Sequence, residues 1–396
     1  MSAGEHPDDE VASEQRAPRF DTSDWWIYRG TGRPLHDIQL EELLPVPPPW
    51  RNFTGGPLPE SDVPPEDDGE ADRRLGHEHH MSEHDVDPHE ADMVNAALYL
   101  RRPLLVTGPP GAGKSSLAFR IARELRLGRV ARWHVTSNTT LKSGLYGYDA
   151  IGRAQAAAAR QAVTRWVPEG EHRVSESPGS DTSTGPGDAA TGSESTMAPG
   201  EQSLGDFLRL GPLGTVFLPS VLPRVLLIDE LDKSEADLPN DLLGIFEDGE
   251  FPIPELERVR NRTPEVTVFT DDPDGTATIV GGRVRCRAFP IIVITSNGER
   301  DFPPAFLRRC LRFEMRPPDA EKLAKMVAAH LGDVQDDQRL ELVRDFVHRS
   351  GHVGGLPADR LLDAIYLATS GAYDQNAASW PRLLDALWRQ LTSVPG

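Results

Sequence analysis

The sequence predicts an α/β fold: a parallel sheet flanked by helices, followed by a small all-α domain. Three observations carry this. Apolar runs of strand length recur at 103–107, 130–135, 225–228 and 290–295. The first runs into a glycine-rich turn at 108–113 and then a helical pattern, the order of a parallel α/β unit. Beyond Pro317 apolar residues recur only at helical spacing.

The elements follow in chain order. Residues 1–91 form an acidic region, mostly disordered in expectation, because it is polar and rich in Pro, Glu and Asp. Within it, 24–53 differs: Trp25, Trp26, Ile27 and Tyr28 precede Gly30-Thr31-Gly32, and Trp50 closes a proline run. So short a segment cannot build its own core and is expected to pack on the domain that follows. Three roles are open to it: packing at the sheet edge, walling a base pocket, or docking a partner. The cluster His77, His79, His80, His84 and His89 reads as a solvated linker rather than a metal site, having no cysteine nearby and no rigid flanking element.

The α/β core is expected over 92–316. Met93, Ala96, Ala97 and Leu100 mark its first helix, and Leu117, Ile121 and Leu125 mark one face of the helix after the glycine turn, which stops at Gly128. A disordered insertion is expected at about 154–203, where Gly, Ser, Thr, Pro, Asp and Glu dominate. A helix is expected at 238–247, and 266–269 with 284–288 forms a candidate hairpin. The helical domain spans 317–396 in four amphipathic helices, with Pro357 and Pro381 at helix starts.

Charge excludes some functions. Residues 1–92 hold 23 Asp and Glu against 7 Lys and Arg, so −16 of the net −20 lies in the tail. Such a tail repels nucleic-acid phosphates, and its simplest use is solubility. No run approaches the ~20 apolar residues of a membrane span. The start of the chain lacks a basic, then apolar, secretory pattern. Two cysteines, Cys286 and Cys310, fit a reducing cytoplasm better than a disulfide framework.

The chemistry lies in three places. Gly108, Pro109, Pro110, Gly111, Ala112, Gly113, Lys114 and Ser115, with Ser116 next, match G-x-x-x-x-G-K-[ST] at every fixed position. The glycines let backbone N–H groups curl around a phosphate, and the helix start adds its positive end. Lys114 is placed to reach the β- and γ-phosphates of ATP, and Ser115 to ligate Mg2+. At the end of 225–228 stand Asp229, a second metal ligand, and Glu230, the base for the attacking water. The strand at 290–295 ends at Asn297, which either orients that water or merely caps the strand. Arg308 and Arg309 close a short helix. They read as an arginine finger acting on a neighbouring subunit, or as two surface arginines.

This succession resembles the AAA+ branch of the P-loop NTPases, and Leu104–Ser115, Val225–Ser234 and Ser296–Arg309 resemble the MoxR group within it. The resemblance covers roughly 92–390, apart from the insertion. It implies ATP hydrolysis with Mg2+ and a homo-oligomeric ring, usually a hexamer. It also implies chaperone-like remodelling of a protein client or partner, among them von Willebrand A-type proteins. Arg360, in the first turn of a lid helix, is placed by the resemblance as a second nucleotide-sensing arginine. The alternatives are a nucleic-acid-associated or restriction-type motor on the same core, and a nucleotide-dependent switch. Tail charge argues against the motor, and Glu230 against the switch.

Overall fold

The computed structural model describes residues 25–35, 40–59, 64–76, 87–165, 203–331, 337–352, 358–370 and 379–388. In chain order the elements are α1 (Leu40–Leu43), α2 (Glu70–Leu75), α3 (Pro88–Leu100), β1 (Leu104–Thr107), α4 (Ser116–Glu124), β2 (Ala131–His134), α5 (Leu141–Leu145), β3 (Tyr146–Tyr148), α6 (Ala150–Arg165), β4 (Leu208–Leu210), α7 (Pro212–Val216), β5 (Val225–Asp229) and α8 (Leu238–Asp248). Then come β6 (Glu250–Pro252), α9 (Pro254–Glu257), β7 (Glu265–Phe269), β8 (Thr276–Val280), β9 (Arg283–Arg285), β10 (Ile291–Ser296), α10 (Pro304–Arg309) and β11 (Leu311–Glu314). Four helices end the chain: α11 (Ala320–Leu331), α12 (Asp337–His352), α13 (Ala358–Thr369) and α14 (Trp380–Leu387).

The main sheet runs β11-β1-β10-β5-β2, parallel throughout. Its inner strands β1, β10 and β5 are apolar at nearly every position because both faces are covered, whereas the edge strands β11 and β2 alternate. Leu105, Leu226, Ile228, Ile292 and Ile294 face one layer of the core. Their neighbours Leu104, Val106, Val225, Leu227 and Val293 face the other, where α4 contributes Leu117 and Ile121. Register sets the C-terminal edge: Thr107 lies opposite Ser296, and His134 opposite Asp229. The glycine turn, Asp229 and Asn297 therefore emerge at one rim.

The second sheet, β3-β4-β7-β8, packs on the first layer through Leu208, Leu210, Val266 and Ile279. It corrects the predicted hairpin. Strand β7 pairs with β8 through the Asp271–Gly275 turn, while β9 pairs with β6. The Asp-Gly turn at 274–275 closes the nearer pair first, leaving 284 onward free for another partner. A second correction falls at 154–165, expected to be irregular. Helix α6 runs through it, with Asp149 Oδ1 accepting the Gly152 N–H at 2.7 Å and Ala154 and Ala156–Ala159 favouring helix. The rest of that stretch, 166–202, lies outside the described residues.

Helices α11–α14 share a core of their own around Leu323, Phe346, Leu361 and Trp388. The aromatic segment packs on the second layer of the α/β core. Tyr28 is fully buried, and its hydroxyl donates to Glu90 at 2.9 Å. Asn95 takes the N–H groups of Ile27 and Tyr28 and returns a bond to the Tyr28 carbonyl at 2.7 Å. Glu124, at the end of α4, accepts from the Arg29 and Gly32 N–H groups and the Thr31 hydroxyl. Of Trp25 to Tyr28, Trp25 is the exposed one, edge-on to Tyr99, and Trp50 at the far end of the segment is exposed as well.

Candidate nucleotide site

The glycine turn joins the end of β1 to α4. Gly108 has φ +145°, and a Cβ there would lie 2.4 Å from the Met315 carbonyl oxygen, so glycine alone fits the close approach to the chain after β11. Gly113 has φ +89° just before Lys114. Lys114 is almost fully buried. Its ammonium donates to the Gly108 carbonyl at 2.8 Å, the Pro109 carbonyl at 2.9 Å and Asn297 Oδ1 at 2.8 Å. Burial lowers the pKa of this ammonium, opposed by the charges of Asp232, Asp229 and Glu230.

Ser115 Oγ donates to Asp229 Oδ1 at 2.7 Å, and Thr295 Oγ1 donates to the same oxygen at 2.7 Å. A hydroxyl and a carboxylate thus stand side by side on the cleft wall, hard oxygen donors of the kind Mg2+ selects. Glu230 follows with φ +60° and ψ +49°, a left-handed backbone outside glycine. Its N–H donates to Thr295 Oγ1 at 2.9 Å, and its carboxylate meets Lys233 at 2.8 Å and Asn297 Nδ2 at 3.4 Å. The strained turn aims the carboxylate away from the strand axis and toward the rim.

Asp232 escaped the sequence reading. It is buried, and its Oδ2 accepts the N–H groups of Asn297 and Glu299 at 2.9 and 3.0 Å, tying the end of β10 to the turn after β5. Its Oδ1 is buried with no hydrogen-bond partner. The signal available was a third carboxylate two residues after Glu230.

A cleft of about 480 Å³ brings Pro110, Gly111, Gly113, Lys114, Ser115 and Ser116 together with Asp229, Glu230, Thr295 and Asn297. Gly108, Pro109 and Ala112 belong to the same turn. A second cavity shares Gly113 and Ser116 with the cleft and runs beneath Gly30, Glu90, Arg120 and the lid residues Lys322 and Met326.

The arginines are placed differently from one another. Arg309 is engaged within its own subunit, donating to Glu247 at 2.6 Å and to the Ala305 carbonyl at 3.3 Å. Arg308 is exposed at the end of α10, with no hydrogen-bond or ion-pair partner among the described residues. Arg360 is not brought to the cleft. Its guanidinium donates to the Leu387 carbonyl at 3.3 Å, and Asp359 lines the cleft instead. The reason is helical phase: consecutive residues of α13 point about 100° apart, and the one facing the cleft is Asp359.

Both cysteines are buried and free, with burial pushing each thiol up to about 12. No helix among the described residues is long and apolar enough to cross a membrane. Of the histidine cluster, only His89 lies within the described residues, its ring edge-on to Phe313. A family model described as the AAA domain of the dynein-related subfamily matches residues 103–310, just over half of the chain. No curated protein matches it.

Proposed function

Because this chain belongs to the AAA family, in its dynein-related subfamily, and so is a nucleotide-binding ATPase, we propose that it is a MoxR-type remodeller whose Lys114–Asp229–Glu230–Asn297 cleft hydrolyses ATP. The observation that carries the reading is the convergence of Lys114, Ser115, Asp229, Glu230 and Asn297 within one hydrogen-bonded cluster from three separate strands.

The reaction takes ATP and water to ADP, phosphate and a proton. The turn from Gly108 to Gly113 wraps the phosphates, and Ser116 stands at the start of α4 beneath them. Lys114 exchanges its carbonyl and Asn297 partners for phosphate oxygens. Ser115 and Asp229 would hold Mg2+, which when bound neutralises charge developing on the β- and γ-phosphates. Glu230 accepts the proton of the attacking water, and Asn297, released from Lys114, orients that water. The base lies in the second cavity, under the Gly30 backbone and against the lid, so the aromatic segment helps wall it.

Arg308 is the finger. It stands exposed at a helix end, whereas Arg309 is spent on Glu247. A finger that reaches a neighbour's nucleotide requires a ring, which we take as a hexamer. The client is a protein, with von Willebrand A-type domains the leading partner class, and the compartment is the cytoplasm. Two free, buried thiols and the acidic tail agree with that compartment and argue against a nucleic-acid partner.

The test is a pair of variants assayed in calorimetry and phosphate release. Lys114→Ala is expected to abolish ATP binding. Glu230→Gln is expected to keep binding and hydrolyse at least ~100-fold more slowly, the scale of a lost general base. Near-normal ATP affinity in Lys114→Ala would remove the cleft from the mechanism.

A further inference from the structure

The helix α2 lies ahead of the segment that the family model matches, yet it reaches the nucleotide cleft. We propose that Arg73, carried on α2 by the N-terminal strap 64–76, is a cation for the polyphosphate of the bound nucleotide, supplied in cis from outside the AAA core. The inference rests on the reading of the cleft given above.

The strap is fixed on both sides. On the core, Arg129 N–H donates to the Pro65 carbonyl at 2.8 Å, Arg132 pairs with Glu70 at 2.8 Å, and Arg123 pairs with Asp72 at 2.6 Å. On the lid side, Gly76 has φ +78° and comes so near α11 that a Cβ would lie 2.5 Å from the Ala329 carbonyl. Helix α2 is therefore wedged between the helix after the glycine turn and the first lid helix. From that wedge Arg73 and Arg74 line the same cleft as Gly111, Gly113, Lys114 and Ser115.

The two arginines differ in freedom. Arg74 pairs with Glu70 at 3.0 Å and lies over the Phe119 ring, 4.7 Å from its centroid. Arg73 is 72% exposed and meets Glu70 only at 3.3 Å. Glu70 is thus one carboxylate shared by three guanidiniums, those of Arg73, Arg74 and Arg132. Two of the three, Arg73 and Arg74, stand on the cleft wall with Lys114, and they bring positive charge to the side where a polyphosphate would lie. Turning Arg73 from Glu70 to a phosphate costs little, because Arg74 and Arg132 keep Glu70 paired. Glu70 takes one long hydrogen bond from Arg73, whereas a phosphate can take the guanidinium fork in two.

Isothermal calorimetry of the full chain with ATP and with ADP tests this. Arg73→Ala is expected to weaken both nucleotides about 10–100-fold, the scale of one hydrogen bond to a charged group. Arg73→Lys is expected to recover most of the loss, and added salt to narrow the gap between variant and parent. The nucleotide-free melting temperature of Arg73→Ala should match the parent's, since the side chain is largely exposed and its ion pair with Glu70 is one that Arg74 and Arg132 also make. Parent and Arg73→Ala binding within two-fold of each other would overturn the proposal while leaving the cleft reading intact. A parent chain that binds no ATP would overturn both.

Discussion

At the scale of single residues, the candidate site works by sharing atoms. One Asp229 oxygen takes two hydroxyls, and one Asp232 oxygen takes two backbone N–H groups. Asp232→Ala removes the acceptor of two part-buried N–H groups, at a cost of about 0.5–1.5 kcal/mol for each hydrogen bond lost. Asp232→Asn keeps an acceptor and should lose less. Urea unfolding of the two variants checks the order, and equal midpoints would show that Asp232 does not hold the end of β10. Lys114 and Ser115 were legible in the sequence because a contiguous turn brings them together. Asp232 was not, because its partners lie 65 and 67 residues away and only the folded chain makes them neighbours. The side Arg360 faces was equally hidden, since a lid-helix start does not fix which of two adjacent residues turns toward the cleft.

At the scale of elements, the parallel sheet was the most legible part, since strands buried on both faces read as unbroken apolar runs. Edge and hairpin strands were harder. Strand β11 alternates Leu311, Arg312, Phe313 and Glu314 and is four residues long, too little to stand out from the helix before it. Helix α2 gave no pattern at all, because only Ala71 and Leu75 are apolar, and both pack on a core that the fold alone brings to them, as do the distant arginines that pair with Glu70 and Asp72. The aromatic segment depends on tertiary anchors in the same way. Glu124 takes three donors from 29–32, and Glu124→Ala leaves them without that acceptor. Limited trypsin digestion should then cut after Arg29 several-fold faster than in the parent, the bond after Arg33 being closed to trypsin by Pro34. An unchanged cleavage rate would mean that Tyr28 and Asn95 suffice to hold the segment.

At the scale of the whole molecule, AAA domains typically assemble into rings, and the ring proposed above would hydrolyse ATP with what each subunit lends its neighbour. Arg308→Ala should leave ATP affinity of the separate subunit intact and lower turnover at least ~1000-fold. Arg309→Ala should lose an exposed ion pair with Glu247, worth about 0–1 kcal/mol, and a long hydrogen bond to the Ala305 carbonyl, and keep most of its turnover. Phosphate release followed over a range of protein concentrations separates the two, and the reverse ranking would make Arg309 the finger. The strap adds a further consequence. It joins a strongly acidic tail to a helix wedged between core and lid at the nucleotide. Binding events at the two places are then linked thermodynamically, and linkage runs in both directions. Whatever basic surface grips the tail and shifts the strap alters the hold on ATP. ATP must alter the grip on that surface by the same factor, so the tail can serve as a readout of the nucleotide as well as a handle on it.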